Sequence, residues 1–253
     1  MNYKQFEDNI FAEWRKRSIA NGDGCELASD GLLYRGRFVY KDVYWSREPG
    51  NENAIWERAK RRVLILTKDL NDEEAWDIRA ETGRNNFSGE NNVVVSAPFY
   101  KNLMRWVYGL LTIDANGHAK KFAEIDRQDV YQPFYDQAPV ARVNCKKQVG
   151  KSSIETSVLK SYMERYKDLL VKQISAYDAN IFLCCGASGA IKDFVAENYL
   201  TDLLKLNNWV YYSPRTRKMV IDSWHPTYMG DTHEKMYSDM MSGVEEAWSR
   251  IKL

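Results

Sequence analysis

The sequence predicts an α/β fold, a three-layer α/β/α arrangement with a central four-stranded parallel sheet. Four short apolar segments have the length and composition of buried strands. Longer segments with helical periodicity separate them along the chain. Strands that alternate with helices are typical of a parallel sheet with right-handed crossovers and helices on both faces.

The strands are predicted first, because their ends determine where a ligand would bind. The four segments are Arg62–Asp69, Pro139–Cys145, Asn180–Cys185 and Lys218–Trp224, and a shorter strand is predicted at Val93–Val95. Each of the four segments places apolar residues at consecutive positions, as in a strand that is covered on both faces. Residues 30–49 are rich in Tyr and Arg and predict a hairpin or an ordered loop.

The helices are predicted from apolar residues at helical spacing. A first helix is expected from residue 3 to about residue 20, where Phe6, Ile10 and Trp14 share one face. Further helices are expected over residues 53–62, 98–111, 152–177, 188–206 and 233–251. The helix at 152–177 begins with a Ser-x-x-Glu capping box. An acidic helix is expected through Asp72, Glu73 and Glu74.

The composition excludes several classes of protein. The 253 residues include 36 Lys and Arg against 35 Asp and Glu, a net charge of +1. The chain is therefore neither a uniformly basic DNA-binding protein nor an acidic solvating chain. Its 14 Gly and 6 Pro are too few for a low-complexity chain. A chain of this length can bury one large core without staples, so we expect one domain over residues 1–253.

The cysteines and the N-terminal residues bear on cofactors and location. Cys25, Cys145, Cys184 and Cys185 contain no Cys-x-x-Cys pair, so we predict free thiols, no metal site and no cofactor. Residues 1–20 hold no apolar signal core, and no later segment has transmembrane length. The expectation is a cytoplasmic protein with no membrane partner, and no feature of the sequence implies an oligomer.

Polar residues follow each predicted strand where a parallel sheet binds its ligands. The first strand ends in Lys68-Asp69, the second in Asn144, the third in Gly186 and the fourth in His225. Ligands of open parallel sheets bind beyond the carboxyl ends of the strands. A carboxylate, an amide and an imidazole are therefore expected along one edge.

The order of these motifs resembles the uracil-DNA glycosylase superfamily. The first strand of that family ends in a Gly-Gln-Asp-Pro-like motif, its second can end in a base-reading Asn, and its fourth ends in His-Pro-Ser. The corresponding segments here are Thr67-Lys68-Asp69-Leu70, Val143-Asn144-Cys145 and Trp224-His225-Pro226-Thr227. The segment 83–89 is similar to the Gly-Arg-x-Phe-x-Gly of some branches and contains Phe87, and 182–187 resembles the third-strand pattern.

The resemblance covers residues 62–250, and it has clear departures. The loop after the first strand lacks the glycine and the proline of the family motif, and Lys68 adds a charge beside Asp69. The first 60 or so residues match no characterised branch and form an N-terminal extension. With Asp30-Gly-Leu-Leu and the segment 64–71, the chain looks more like uncharacterised bacterial members.

The resemblance implies hydrolytic removal of uracil or a related damaged base from DNA, with DNA as the partner. It implies that Asp69 orients or deprotonates water and that His225 donates to the base carbonyl oxygen that collects charge. It further implies that Asn144 reads the base edge and Phe87 stacks on the base. Tyr228 or Met229 would fill the gap left by an extruded base.

Each of these residues also has a plain structural explanation. Asp69 is placed to cap the acidic helix, and Asn144 is a common turn residue. His225 is equally consistent with a packed imidazole at a strand terminus, and Phe87 with a core residue. These alternatives stay open on the sequence alone.

The charge distribution gives a separate indication of nucleic-acid binding. Two acid-free basic runs supply candidate phosphate contacts, namely Lys146, Lys147, Lys151, Arg215 and Arg217. Between residues 69 and 81, however, six acidic residues face one basic residue. That acidic run would repel a phosphate backbone unless it points away from the site.

Three other functions compete with this interpretation. Gly150-Lys151-Ser152 resembles the end of a phosphate-binding loop, but the first glycine of that pattern would fall at Cys145. Gly186-Ala187-Ser188-Gly189-Ala190 approaches a nucleophile elbow, but its last glycine is replaced by alanine. The third is a catalytically inactive relative that binds nucleic acid, a nucleotide or a protein partner.

Overall fold

A seven-stranded mixed sheet forms the centre of the part of the chain that the structure, a computed structural model, describes. The described residues are 1–41, 44–69, 74–85, 94–95, 97–150, 153–251 and 253. The strands of this sheet are β1 (Gly31–Leu32), β4 (Val63–Thr67), β7 (Val140–Asn144), β8 (Ile181–Cys185), β9 (Leu204–Lys205), β10 (Val210–Ser213) and β11 (Lys218–Ser223). Their order is β1-β7-β4-β8-β11-β10-β9.

The centre of the sheet is parallel and its borders are antiparallel. The strands β7, β4, β8 and β11 pair in parallel, whereas β1, β10 and β9 pair antiparallel at the two borders. The predicted α/β class and the four predicted strands are therefore found. The main sheet has seven strands rather than the predicted four. The additional strands are the two-residue β1 and β9 and the hairpin strand β10, whose sequences carry too little apolar pattern to predict a strand.

Helices cover both faces of the sheet. The helices are α1 (Tyr3–Ala20), α2 (Glu52–Arg58), α3 (Pro98–Thr112), α4 (Phe122–Ile125), α5 (Gln128–Tyr135), α6 (Thr156–Arg165), α7 (Lys167–Tyr177), α8 (Ala190–Asn198) and α9 (His233–Ala247). Alternate strand residues point to opposite faces. Val63 and Ile65 of β4 join the core formed with α3, α5 and α9, while Leu64 and Leu66 join the core formed with α1, α6, α7 and α8.

A second, smaller sheet consists of β2 (Phe38–Lys41), β3 (Tyr44–Arg47), β5 (Glu81–Asn85) and β6 (Val94–Val95), in that order and all antiparallel. The hairpin that the Tyr- and Arg-rich segment predicted is formed by β2 and β3. The sheet brings β5, which follows the first parallel strand in sequence, towards the N-terminus of α3. It thereby forms one wall beside the carboxyl edge of the main sheet.

The N-terminal residues belong to the main core rather than to a separate layer. Helix α1 has the predicted bounds, and its Ile10, Phe11 and Trp14 are buried against α7. Asn2 caps it by accepting the backbone N–H of Gln5 at 3.1 Å. The following segment then adds β1 to the sheet beside β7.

Two predicted helices have the wrong bounds, and a third is only partly covered by the described residues. The helix predicted at 152–177 begins at Thr156 and breaks at Tyr166, which has non-helical φ −111° and ψ 20°. The helix predicted at 188–206 ends at Asn198, and Leu204–Lys205 is a strand. Of the predicted acidic helix, Asp72 and Glu73 lie outside the described residues, and residues 74–77 are not helical.

No helix formed by the described residues is both long enough and apolar enough to cross a membrane.

Cys184 and Cys185 lie in the two different cores, on opposite faces of β8, as their adjacency in a strand predicted. Burial raises the pKa of the Cys185 thiol to about 12, so this thiol is unreactive at neutral pH.

Candidate functional site

The carboxyl ends of four parallel strands meet at one edge of the main sheet. Asn144 ends β7, Asp69 follows β4, Gly186 follows β8 and His225 follows β11. Because neighbouring strands lie about 4.8 Å apart, the strand of Asp69 is about 10 Å from the strand of His225. This span suits a base and its sugar, and among the described residues no hydrogen bond joins Asp69, Asn144 and His225 directly.

Asn144 is fully buried, and its amide is only half satisfied. Its backbone N–H donates to Asp30 Oδ2 at 2.8 Å, and its Oδ1 accepts a hydrogen bond from the Thr67 hydroxyl on the neighbouring strand. Its Nδ2 is shielded from solvent and has no hydrogen-bond partner. An unsatisfied buried donor costs about 1–3 kcal/mol. A ligand with a carbonyl oxygen would remove that cost.

Asp69 carries the complementary unsatisfied group. Its side chain is 6% exposed and lies 3.9 Å from Lys146 Nζ, and its Oδ2 has no hydrogen-bond partner. Burial raises the pKa of this carboxyl, while the charges of Lys146 and Lys68 oppose the increase. The residues that Asp69 would cap, 70–73, lie outside the described residues, and residues 74–77 are not helical.

His225 is held as a neutral imidazole with a defined tautomer. Burial, followed by the charges of Lys68 and Arg142, lowers its pKa to about 4. The Thr227 backbone N–H donates to His225 Nδ1 at 3.3 Å, and the Thr227 hydroxyl lies 2.7 Å from the same atom. Since Nδ1 accepts, the ring proton lies on Nε2, which is then a hydrogen-bond donor.

Phe99 is a site residue that the sequence did not reveal. Its ring lies 5.8 Å from the His225 ring, and the Arg142 guanidinium lies 4.6 Å from the centroid of the Phe99 ring. The available signal was Pro98 at the first turn of α3. Helix α3 starts at the carboxyl edge, because Phe99 contacts His225 while Ile113, just after the helix, accepts from Arg61 at the other edge. Phe87, predicted to stack on the base, lies outside the described residues.

The loop after β8 has an unusual backbone. Gly186, Ala187, Ser188 and Gly189 all have positive φ, at 79°, 62°, 48° and 82°. A Cβ at Gly186 would lie 3.0 Å from His225 Cβ, so glycine allows the imidazole to approach. Among the described residues no hydrogen bond joins Ser188 to His225, and the nucleophile-elbow interpretation gains no support.

Two of the predicted phosphate contacts are buried. Lys147 is 0% exposed, and its ammonium pairs with Asp30 at 2.6 and 2.8 Å. Lys146 donates to the carbonyl oxygens of Gln148 and Val149, each at 2.9 Å. The basic run predicted that these two lysines are surface charges that contact phosphates, but both ammonium groups bind partners within the protein.

Arg215 and Arg217, two further predicted phosphate contacts, lie away from the carboxyl edge. Arg215 and Arg217 precede β11, whereas His225 follows it. Parallel strands enter the sheet at the edge opposite to the one they leave, and the length of β11 separates these arginines from His225 by about 17 Å. Lys151 lies outside the described residues, as does Ser152 of the phosphate-loop pattern.

Tyr228 and Met229 protrude next to His225. Tyr228 is 44% exposed and stacks on Trp224, with ring centroids 6.2 Å apart and planes at 12°. Met229 is 95% exposed. The exposure of both side chains is the finding, and their role as a wedge stays a prediction.

The acidic run after β4 is partly neutralised within the protein. Asp77 pairs with Arg79 at 2.8 Å, and Glu81 pairs with Arg142 at 3.0 Å. Among the described residues, no three His, Cys, Asp or Glu side chains converge to hold a metal ion.

Comparisons with known proteins do not assign the chain to a family. No protein-family model matches it. No curated protein is significantly similar to it in sequence. The function is therefore inferred from Asp69, Asn144 and His225 and from the groups that contact them.

Proposed function

We propose that the protein is a divergent member of the uracil-DNA glycosylase superfamily that hydrolyses the N-glycosidic bond of uracil or a related damaged base in DNA. One observation carries the proposal. An amide donor on Asn144 and a carboxylate oxygen on Asp69, both buried and both without a hydrogen-bond partner, lie at the ends of neighbouring strands, at the edge that also holds a neutral His225.

Asp69 is suited to act on the water. Hydrolysis passes through an oxocarbenium-like sugar, which a nearby carboxylate stabilises, and it needs a base for the attacking water. Burial raises the pKa of the Asp69 carboxyl towards neutral pH, and a general base is most effective when its pKa is close to the pH at which it works. Asp69 Oδ2, which has no hydrogen-bond partner, is the atom that would accept the proton of the attacking water.

His225 and Asn144 are suited to the departing base. The base leaves as an anion with charge on a carbonyl oxygen, and a preorganised neutral donor such as Nε2–H of His225 stabilises that charge. The hydroxyl of Thr67 engages Asn144 Oδ1, so the amide presents Nδ2–H to the base. This orientation favours a base with a carbonyl acceptor, such as uracil, over one with an amino group.

The experiment measures free base released from single- and double-stranded DNA that contains uracil. The wild-type protein is compared with Asp69→Asn and His225→Ala, and Asp231→Asn serves as a control because Asp231 pairs with the exposed Lys235 at 3.6 Å. We expect release by the wild type and the control, and a loss of at least roughly 100-fold in each site variant. Absence of release, or release unchanged in both variants, contradicts the proposal.

A catalytically inactive binding protein is the second candidate. It is favoured by the 6% exposure of the Asp69 side chain, which restricts the access of water to the carboxylate. Salt-dependent binding to the same DNA without base release would support this alternative.

A further inference from the structure

A cavity of about 550 Å³ lies at the edge of the main sheet opposite to the candidate site. Lys60 and Arg61 line it from the segment just before β4, and Ala138 and Pro139 line it from the segment just before β7. The length of β4, about 15 Å, separates this edge from the one that holds Asp69. The volume lies in the range of small-molecule sites, roughly 300–1,000 Å³. The cavity is therefore a second candidate site, independent of the proposed function.

Apolar side chains form most of the wall of this cavity. Leu111 and Phe134 are half-buried, and Ile113, just after α3, is buried. The ring of Phe134 packs against the ring of Tyr108, with centroids 4.6 Å apart, so a neighbour supports it. A ligand with an apolar body would remove the exposed parts of these side chains from water, which is favourable in proportion to the apolar area that is buried.

The Arg61 guanidinium is held in place by neutral groups. Its Nη1 donates to the Ile113 carbonyl oxygen at 2.6 Å, and its central carbon lies 4.9 Å from the centroid of the Trp248 ring. A guanidinium has five N–H donors, and among the described residues the Ile113 oxygen is the one acceptor that Arg61 engages. Both contacts orient the group, but neither compensates its charge.

The residues that line the cavity include two cations and no carboxylate. Lys60 is exposed, and in the described part of the chain neither Lys60 nor Arg61 forms an ion pair. The other lining residues are apolar except Gln137, whose side chain is neutral and exposed. The lining therefore carries a net positive charge.

The acidic residues close to these segments in the chain have other partners. Glu57 pairs with the N-terminal ammonium group. Asp136 pairs with Arg84 and lies 3.9 Å from Arg47. Asp114 accepts two backbone N–H groups of its own turn, at 2.8 and 2.9 Å, and does not line the cavity. These contacts leave the positive charge of the lining in place.

We propose that this cavity binds an organic anion with an apolar body. A guanidinium presents N–H groups in a fork that matches two oxygens of a carboxylate or a phosphate, and the exposed Lys60 supplies a second positive charge. Because the contacts with Ile113 and Trp248 orient the guanidinium before a ligand arrives, less side-chain freedom is lost on binding. Two sources share this chemistry, an apolar carboxylic acid and a phosphate monoester of an apolar alcohol.

Calorimetric titration of the full chain tests the proposal. The probes are 2-naphthoate for the carboxylate source, 2-naphthyl phosphate for the phosphate source and 2-naphthamide as a neutral counterpart of nearly the same shape. We expect at least one of the two anions to bind at least about tenfold more tightly than the amide. Acetate and inorganic phosphate, which lack the apolar body, should bind at least about tenfold more weakly than the corresponding naphthyl anion.

The anion that binds more tightly identifies the source. Binding of neither naphthyl anion overturns the proposal, and so does equal binding of the amide and the tighter anion. Equal binding of that anion and its small counterpart also overturns it, because the apolar wall would then contribute nothing.

Matched variants link the binding to the cavity. Lys60→Gln removes an exposed charge and is expected to weaken anion binding about threefold. Gln137→Glu adds a carboxylate to the lining with little change in shape, and it should weaken anion binding by a similar factor while binding of the amide stays unchanged. Arg61→Gln should weaken anion binding about tenfold.

Lys160→Gln is the control for these variants. Lys160 is exposed on α6, a helix that packs on the opposite face of the sheet from α3 and α5, so this change should leave anion binding as it is. Circular dichroism confirms that each variant is folded, and the two exposed positions, Lys60 and Gln137, carry the test if Arg61→Gln is not. Anion binding that is unchanged in both Lys60→Gln and Gln137→Glu contradicts the assignment.

Discussion

At the scale of single residues, the state of His225 is set by its surroundings rather than by the solution. Burial and two neighbouring cations hold its pKa at about 4, and Thr227 holds its tautomer. A neutral donor loses no proton when the base departs, and its hydrogen bond strengthens as charge develops on the carbonyl oxygen. The sequence indicated a His at a strand end but not its protonation state, which depends on residues from three other elements.

The depressed pKa makes stability depend on pH. In the folded protein His225 stays neutral down to about pH 4, whereas in the unfolded chain it takes up a proton near its usual pKa of about 6.5. Between these values the unfolded state binds more protons, so stability falls as pH falls from about 6.5 to 4. We expect a smaller loss over this window for His225→Gln, measured by urea unfolding at several pH values. Equal losses in both proteins would show that His225 is not depressed.

Lys147 shows at the same scale why the sequence misplaced the phosphate contacts. Its position in a basic run indicates a surface charge, yet its ammonium is buried against Asp30 and lies 5.0 Å from the Trp14 ring. Both partners come from the first 30 residues. A pairing between residues 117 positions apart in the sequence leaves no local pattern.

At the scale of elements, the parallel strands were predictable because burial on both faces leaves continuous apolar runs. Helix α1 was predictable because its apolar residues keep helical spacing to its end. The break at Tyr166 was not, since residues on both sides of it keep the same apolar face. In the small sheet, β2, β3 and β6 fall within segments predicted as a hairpin or loop and as a short strand, whereas β5 was not predicted, because Glu81–Asn85 contains no apolar run.

The loop between β8 and α8 gives a prediction at this scale. Gly186→Ala should destabilise the protein by more than about 1 kcal/mol, because its φ of 79° with ψ −156° suits only glycine. Ser188→Gly should be neutral or stabilising by up to about 1 kcal/mol, because serine occupies left-handed backbone there at φ 48° and ψ 45°. Urea unfolding of both variants measures the two effects.

The two glycine and serine changes act in opposite directions, and this contrast is the check. If Gly186→Ala is as stable as the wild type, the loop does not have the described backbone. Base release by Gly186→Ala should also fall, because the new Cβ would displace His225, from whose Cβ it is 3.0 Å.

At the scale of the whole molecule, the net charge of +1 conceals a division between edges. Arg215 and Arg217 lie at the edge where the parallel strands begin, and the candidate site lies where they end. Lys146 and Lys147 directly follow β7 at the carboxyl edge, but both are buried. These four residues therefore form no exposed basic patch at the candidate site.

This arrangement predicts a weak dependence of DNA binding on salt. Each neutralised phosphate contributes about −0.9 to the slope of log K against log salt concentration. Because Lys146 and Lys147 are bonded inside the protein and Arg215 and Arg217 lie at the opposite edge, we expect a slope weaker than about −3 by fluorescence anisotropy. Arg215→Ala should leave the slope unchanged. A slope near −6 that Arg215→Ala weakens would place the DNA on the opposite edge.

The most direct test of the central claim is the single-turnover rate of base release from uracil-containing DNA by the wild-type protein and by Asp69→Asn. The substitution keeps the size of the side chain and removes the carboxylate that carries the unpartnered buried oxygen. We expect measurable release by the wild type and a decrease of at least roughly 100-fold in the variant. Equal rates, or no release by either protein, would contradict a catalytic site at the carboxyl edge of the sheet.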